Sequence, residues 1–220
     1  MSDQFFSLDT LLIALAWAGY GAVHSLLAAS PFKAWATSTW RGSVRYYRLT
    51  YSLLAIALLI PLLVATEWAA DDWLWRWEGA WAWVAHAVTA AMLLGFAWSS
   101  RAYDMRGFLG LDTGNATQQS QFGLSPLHRW VRHPWYALGL VWLWTRDMDS
   151  ARLAAAVTIS VYIWVGAHLE DIKLEHELGA RYRDYRARVP GLLPRPWRTL
   201  SRSEFERLRH QRPPSNASIT

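Results

Sequence analysis

The sequence predicts an all-α integral membrane protein with about five transmembrane helices, the last two a short hairpin, followed by a cytoplasmic amphipathic helix. Three observations carry this. Of 220 residues, 53% are hydrophobic and 16 are Trp, a balance suited to lipid rather than water as solvent. Apolar segments at 11–29, 49–65 and 80–98 approach the roughly 20 residues needed to cross a hydrocarbon core of about 30 Å. The charges of the longer connections differ in sign from one side to the other, as the positive-inside rule requires. A mean hydropathy near zero conceals this pattern, because a polar stretch from His168 onward offsets the apolar runs. The length suits one domain, assigned to residues 1–200, with 201–220 as a basic, flexible tail.

Segment 11–29 follows Asp3 and Asp9 rather than the cationic stretch of a cleavable signal peptide, so it is expected to remain as the first span. The 30–48 connection carries Lys33, Arg41, Arg45 and Arg48 with no acid, which places it in the cytoplasm. Pro61 is expected to kink the second span, a feature membranes tolerate where neighbours satisfy the freed carbonyl. The 67–79 connection holds Glu67, Asp71, Asp72 and Glu78 against Arg76 and belongs outside. Trp68, Trp73, Trp75, Trp77, Trp81 and Trp83 crowd this edge as an interfacial belt. After the third span, 99–134 is again basic and cytoplasmic. Its Gly107, Gly110, Gly114 and Gly123 and its polar 115–121 run read as a loop, with the spacing of neither a P-loop nor a dinucleotide fingerprint. The sequons at Asn115 and Asn216 fall on the cytoplasmic side, so glycosylation is not expected.

Segments 135–144 and 153–167, of 10 and 15 residues, read as a hairpin of short spans joined around Arg146, Asp147 and Asp149. From 168 to 188 the apolar positions Leu169, Ile172, Leu178, Tyr182 and Tyr185 recur mostly every three or four residues, which predicts an amphipathic helix leaving the last span. Glu177 with Arg181 and Asp184 with Arg188 form i,i+4 pairs, and Pro190 ends the helix. Arg195-Pro196-Trp197-Arg198 reads as an interfacial anchor and the last ten residues as disordered. An outside N-terminus and a cytoplasmic C-terminus satisfy every connection. The chain has no Cys, which excludes disulfides, a thiolate nucleophile and Cys-ligated zinc or iron–sulfur sites. From His168 onward eleven Lys/Arg face seven Asp/Glu, a mixture that suits lipid headgroups and makes nucleic acid an unexpected partner.

Two elements of the last third stand out: Arg132-His133-Pro134-Trp135-Tyr136, and a downstream run of Glu170-Asp171, Leu174, Leu178-Gly179, Tyr182, Tyr185, Val189-Pro190 and Pro194. Their order and spacing, over about 65 residues, closely resemble the isoprenylcysteine carboxyl methyltransferase superfamily. Val23-His24-Ser25-Leu26-Leu27-Ala28, Phe32-Lys33-Ala34-Trp35 and Arg48-Leu49-x-Tyr51 resemble its prokaryotic branch of methanethiol S-methyltransferases and NnrU-like proteins. The chain departs from the family twice. Leu138 stands where the family usually has Gly, two positions after the motif Tyr, and the second acid is Asp171 rather than Glu.

The resemblance implies S-adenosylmethionine-dependent methyl transfer at the bacterial inner membrane, to a small or lipid-soluble acceptor, a thiol or a carboxylate. It further implies that Arg132, His133, Tyr136, Glu170, Tyr182 and Tyr185 line or brace the cofactor site, with Pro134 shaping the entry to the fourth span. Chemically, a carboxylate such as Glu170 suits a ribose diol, a guanidinium such as Arg132 a methionyl carboxylate, and rings such as Tyr182 and Tyr185 an adenine. Asp171 is expected on a solvated helix surface.

Ionisable groups inside spans are costly and tend to be functional, which singles out His24 and His86. His24 and Arg132 are the catalytic candidates, His24 as a general base for a thiol or hydroxyl acceptor. His168 is expected to border the cofactor pocket, and no metal site is expected. Two other readings compete. One is a b-type haem or quinone protein using His24, His86 and His168 as axial ligands. The other is a non-catalytic, NnrU-like membrane assembly protein.

Overall fold

The computed structural model describes residues 7–39, 44–109, 111 and 124–210. The polar 115–121 run, Gly110, Gly114, Gly123, Arg41, both sequons and the last ten residues lie outside the described residues. Among those described, the chain is helical: α1 Leu8–Ala28, α2 Ser30–Thr39, α3 Val44–Trp68, α4 Gly79–Ser100, α5 Met105–Phe108, α6 Pro134–Trp144, α7 Ser150–Leu178, α8 Ala180–Arg188 and α9 Arg202–His210.

Four stretches, Leu8–Ala28, Tyr46–Trp68, Gly79–Ser100 and Ser150–Leu178, are long and apolar enough to cross a membrane. Their outer faces carry Leu11, Leu15, Leu53, Ile60, Leu93 and Leu94, all exposed, as surfaces solvated by acyl chains require. The five-span reading therefore reduces to four helices of spanning length. Segment 135–144 is indeed helical, but α6 has 11 residues and reaches only about 16 Å at 1.5 Å per residue. Its partner is not a short span, because α7 runs 29 residues without interruption. Apolar side chains form the first part of α7, and its last three turns carry Glu170, Asp171, Lys173 and Glu175 beyond them.

The helix predicted over 168–188 begins as that extension of α7 and then breaks at Gly179. Gly179 has φ +60° and ψ −135°, a conformation open to glycine and strained for other residues, and it redirects the chain into α8. The connection after α1 contains a helix of its own, α2, whose Ala36 is buried.

Small residues set the helix contacts. Gly21 of α1 lies under the Tyr162 ring of α7, where a Cβ would come within 2.8 Å of the ring, and Ile13, Ala151 and Ala155 form a cluster joined by Trp17, Ala65 and Ile159. Leu138 of α6 points at Gly95 of α4, at 3.3 Å from the Cβ a larger residue would have. Beside this contact the Trp135 indole donates to Ser99 Oγ at 2.8 Å.

At the opposite end of α6 the turn to α7 docks on the acidic 69–78 connection. Leu74 N–H donates to Met148 O at 2.8 Å, and Asp71 accepts from the Ser150 hydroxyl at 2.6 Å. Arg152 pairs with Asp149 and Glu67 and stacks over Trp73 at 4.8 Å. Trp73 is thus a packing partner at this edge.

The region assigned to a tail from 201 onward begins with α9. Its Phe205 and Leu208 join Leu124, Tyr182, Tyr185, Val189 and Leu200 in a buried cluster beneath α8.

Candidate active site

The two sequence elements singled out above meet through the backbone. Arg132 N–H donates to Pro190 O at 2.8 Å and His133 N–H to Gly191 O at 3.1 Å, so the Val-Pro end of α8 forms a ledge for the Arg-His pair. Gly191 leaves room for the guanidinium: a Cβ there would sit 3.3 Å from Arg132 Nη2. His133 caps α6 and Pro134 opens it, where the missing N–H of proline costs nothing.

Asp171 is the centre of the constellation and only 4% exposed. Arg132 approaches it as a fork, Nε to Oδ1 at 3.1 Å and Nη2 to Oδ2 at 2.5 Å. His133 Nε2 lies 2.9 Å from Oδ1, and the Tyr182 hydroxyl donates to the same oxygen. Three of these four bonds converge on Oδ1 and the fourth reaches Oδ2, so three side chains hold one carboxylate. Arg132 Nη1 donates to the carbonyls of Arg186 and Val189.

His133 is held between two acids, with Glu170 Oε2 3.5 Å from Nδ1. Burial opposes its charge, but the hydrogen bonds to Asp171 and Glu170 and their negative charge prevail and raise its pKa. The Tyr136 ring stacks on His133 at 5.5 Å. Glu170 keeps 45% of its side chain exposed and faces the adjoining space.

That space is a cavity of about 740 Å³, within the range of roughly 300–1,000 Å³ that small-molecule sites occupy. One wall is His133, Tyr136 and Glu170; another is His24, Tyr51, Leu27, Ala55 and Ile56; Lys33 and Arg48 also line it. Lys33 makes no ion pair among the described residues, and its pKa is lowered by burial and by the positive charges of Arg48 and Lys173. Tyr103, Trp135 and His128 form a further wall. His128 is pushed down to about 4 by burial, and its Nδ1 accepts from the Ser125 N–H at 3.1 Å, fixing the neutral ring. Burial likewise raises Tyr103 to about 12.

His24, Arg132, His133, Tyr136 and Glu170 therefore gather at one cavity. Tyr182 and Tyr185 do not reach it. Both are 1% exposed, and they lie behind the wall, Tyr182 on Asp171 and Tyr185 donating to His128 O at 2.8 Å. Arg132 touches the cavity, but its fork is occupied by Asp171. Asp171 is not solvated as expected. His168 is exposed and stacked on Trp164 at 6.5 Å, and His86 is exposed beside Trp83, so neither lines the cavity with His24. Leu138 points at α4 rather than at the cavity, so this departure from the family pattern is absorbed by Gly95.

The sequence marked none of Lys33, Arg48, Tyr51, Tyr103 and His128 as a site residue. Lys33, Arg48 and Tyr51 stood within matched stretches of the N-terminal half, and that was the available signal. Tyr103 and His128 carried none.

Long apolar helices around a ligand-sized cavity of mixed polarity define a multi-pass helical membrane protein with a site between its helices, and similarity of sequence narrows the class. The chain is 30% identical to methanethiol S-methyltransferase 2 of Bradyrhizobium diazoefficiens, over 78% of its own length and 68% of that protein. It is 31% identical to methanethiol S-methyltransferase of Mycobacterium tuberculosis, over 81% of this chain and 75% of that one. For the Pseudomonas sp. enzyme of the same name the identity is 29%, over 88% and 75%. No protein-family model and no solved structure matches the chain. The chain belongs to the methanethiol S-methyltransferase family of membrane methyltransferases, which are related to the isoprenylcysteine carboxyl methyltransferases.

Proposed function

We propose that this protein transfers a methyl group from S-adenosylmethionine to a small thiol at the cytoplasmic end of its helix bundle. One observation carries this reading: a single cavity joins the polar His133–Glu170 wall to the His24–Tyr51 wall with its apolar Leu27, Ala55 and Ile56. The names of the relatives give methanethiol as their acceptor, and a thiol of that size suits the apolar end.

The donor set fits the cofactor. Glu170, half exposed to the cavity, accepts from a ribose diol; Lys33 and Arg48 meet a methionyl carboxylate; the rings of Tyr103 and Trp135 wall an adenine. Arg132 holds Asp171, and Asp171 and Glu170 together hold His133. The carboxylate role expected of Arg132 passes to Lys33 and Arg48, because its own fork is already filled.

When bound, S-adenosylmethionine supplies a methyl carbon already activated by a sulfonium, which leaves the chain to align the reactants and exclude water. Leu27, Ala55 and Ile56 keep the acceptor end dry. A thiol must lose its proton to become a nucleophile, and His24 is the base at that end of the cavity.

The topology that supports this reading has five passages between the membrane faces, with the N-terminus outside and the C-terminus in the cytoplasm of a bacterial inner membrane. Trp135 bonds to the C-terminal end of α4 and the turn at Met148 to the loop before its N-terminal end, so the short α6 and its flanks connect the two levels.

Calorimetric titration of the detergent-purified chain with S-adenosylhomocysteine, followed by detection of the sulfide product from methanethiol, tests the proposal. Saturable binding weakened by Glu170→Gln, together with sulfide formation, is the expected result. A folded protein that binds no S-adenosylhomocysteine overturns it in favour of the non-catalytic assembly reading.

A further inference from the structure

Both ring nitrogens of His24 are covered by tyrosine hydroxyls. Tyr51 Oη lies 2.7 Å from Nε2, and Tyr162 Oη lies 3.1 Å from Nδ1 and 2.9 Å from Ser25 Oγ. The two tyrosines stand on opposite sides of the histidine. Tyr51 lines the cavity with His24, whereas Tyr162 and Ser25 do not. The Tyr162 ring is seated on α1 at Gly21, the position where any Cβ would collide with it.

We propose that Tyr51 is the side chain that touches the acceptor and relays its proton to His24, with Tyr162 and Ser25 as positioning residues that fix the histidine tautomer. The inference rests on the thiol-methyltransferase reading above. A neutral imidazole has one donor and one acceptor nitrogen. In the productive tautomer, Nδ1–H donates to Tyr162 Oη, the Tyr162 hydroxyl donates to Ser25 Oγ, and Nε2 accepts from the Tyr51 hydroxyl. No ring nitrogen is then left for an acceptor molecule to meet directly, and the cavity-facing oxygen of Tyr51 is the point of entry to the base.

The thiol S–H bond breaks and its proton passes to Tyr51 Oη while the Tyr51 hydroxyl proton passes to His24 Nε2. The thiol sulfur uses its freed electron pair to form a bond to the methyl carbon, and the bond from that carbon to the sulfonium sulfur breaks with its pair remaining on the departing sulfur. The products are a methyl sulfide, S-adenosylhomocysteine and a His24 imidazolium, which returns its proton to water through Tyr51 and the cavity. Tyr51 ends each turnover as the phenol it began as.

The full-length protein in detergent, assayed with ethanethiol and with the more acidic trifluoroethanethiol, tests this. Tyr51→Phe is expected to lower kcat for ethanethiol roughly a hundredfold or more, the scale of a lost general base. S-adenosylhomocysteine affinity stays unchanged and certifies folding. The loss shrinks for trifluoroethanethiol, whose electron-withdrawing group lets it ionise with less help from a base. His24→Gln, which keeps hydrogen bonding but cannot take a proton, shows the same dependence on thiol acidity. Tyr162→Phe frees the other tautomer and displaces the pH–rate profile. Equal losses for both thiols, or an unaltered rate and pH profile in Tyr51→Phe, overturn the relay while leaving methyl transfer standing. Wild-type protein that binds S-adenosylhomocysteine yet methylates neither thiol overturns the thiol reading and the relay with it.

Discussion

Two neighbouring acids on α7 divide the work at the site. Asp171 is buried and bonded by Arg132, His133 and Tyr182, while Glu170 is half exposed toward the cavity. Asp171→Asn leaves the Arg132 guanidinium without its counter-charge, and breaking a buried pair from one side costs about 3–5 kcal/mol. Thermal unfolding in detergent should record that loss, whereas Glu170→Gln should leave the melting temperature nearly unchanged and weaken S-adenosylhomocysteine binding. The histidines respond to pH with opposite signs. His133 has a folded pKa above the unfolded value of about 6.5, so its contribution to stability is complete below that pH and is lost as pH rises through the folded value. His128 is held near 4 in the fold, so stability falls as pH drops from about 6.5 toward 4, where the unfolded chain takes up the proton first. Denaturation followed against pH should show both arms, with the acid arm flattened in His128→Gln.

The elements place these residues through a few small side chains. Gly179 lets the charged end of α7 turn back as α8, which brings Tyr182 beneath Asp171. Its φ of +60° with ψ of −135° is strained for any L side chain, although space is open. Gly179→Ala is therefore predicted to cost about 1–3 kcal/mol through the backbone alone, measured as a lowered unfolding midpoint. Gly21 acts through contact instead. A Cβ there meets the Tyr162 ring at 2.8 Å, so Gly21→Val should part α1 from α7 and lower methyl transfer more than it lowers S-adenosylhomocysteine affinity. The amphipathic period of 168–188 was legible in the sequence because i,i+3 and i,i+4 spacing survives a break. The break was not, because a glycine inside a helical pattern reads equally as a tolerated residue or a cap.

At the scale of the whole molecule, the C-terminal segment belongs to the structure that supports the site. Phe205 and Leu208 of α9 are buried with Tyr182, Tyr185 and Leu200, and Arg129 Nε donates to Leu200 O at 3.1 Å, tying the segment to the chain just before the Arg-His pair. Phe205→Ala should cost about 3–5 kcal/mol, as deletion of a buried aromatic side chain does, and should weaken cofactor binding without touching the cavity. Thermal shift with and without S-adenosylhomocysteine measures both effects. The sequence by itself determined the membrane class, the long apolar helices and the Arg-His-Pro and Glu-Asp elements, because bilayer thickness and local spacing leave their marks on contiguous residues. Only the tertiary structure decided that Arg132 is consumed by Asp171, that Tyr182 and Tyr185 lie behind the wall, and that Lys33, Arg48 and Tyr51 join His24 at one cavity. Those assignments depend on which groups meet across helices, and no periodicity within one helix encodes the partner that fills a fork or covers a ring nitrogen.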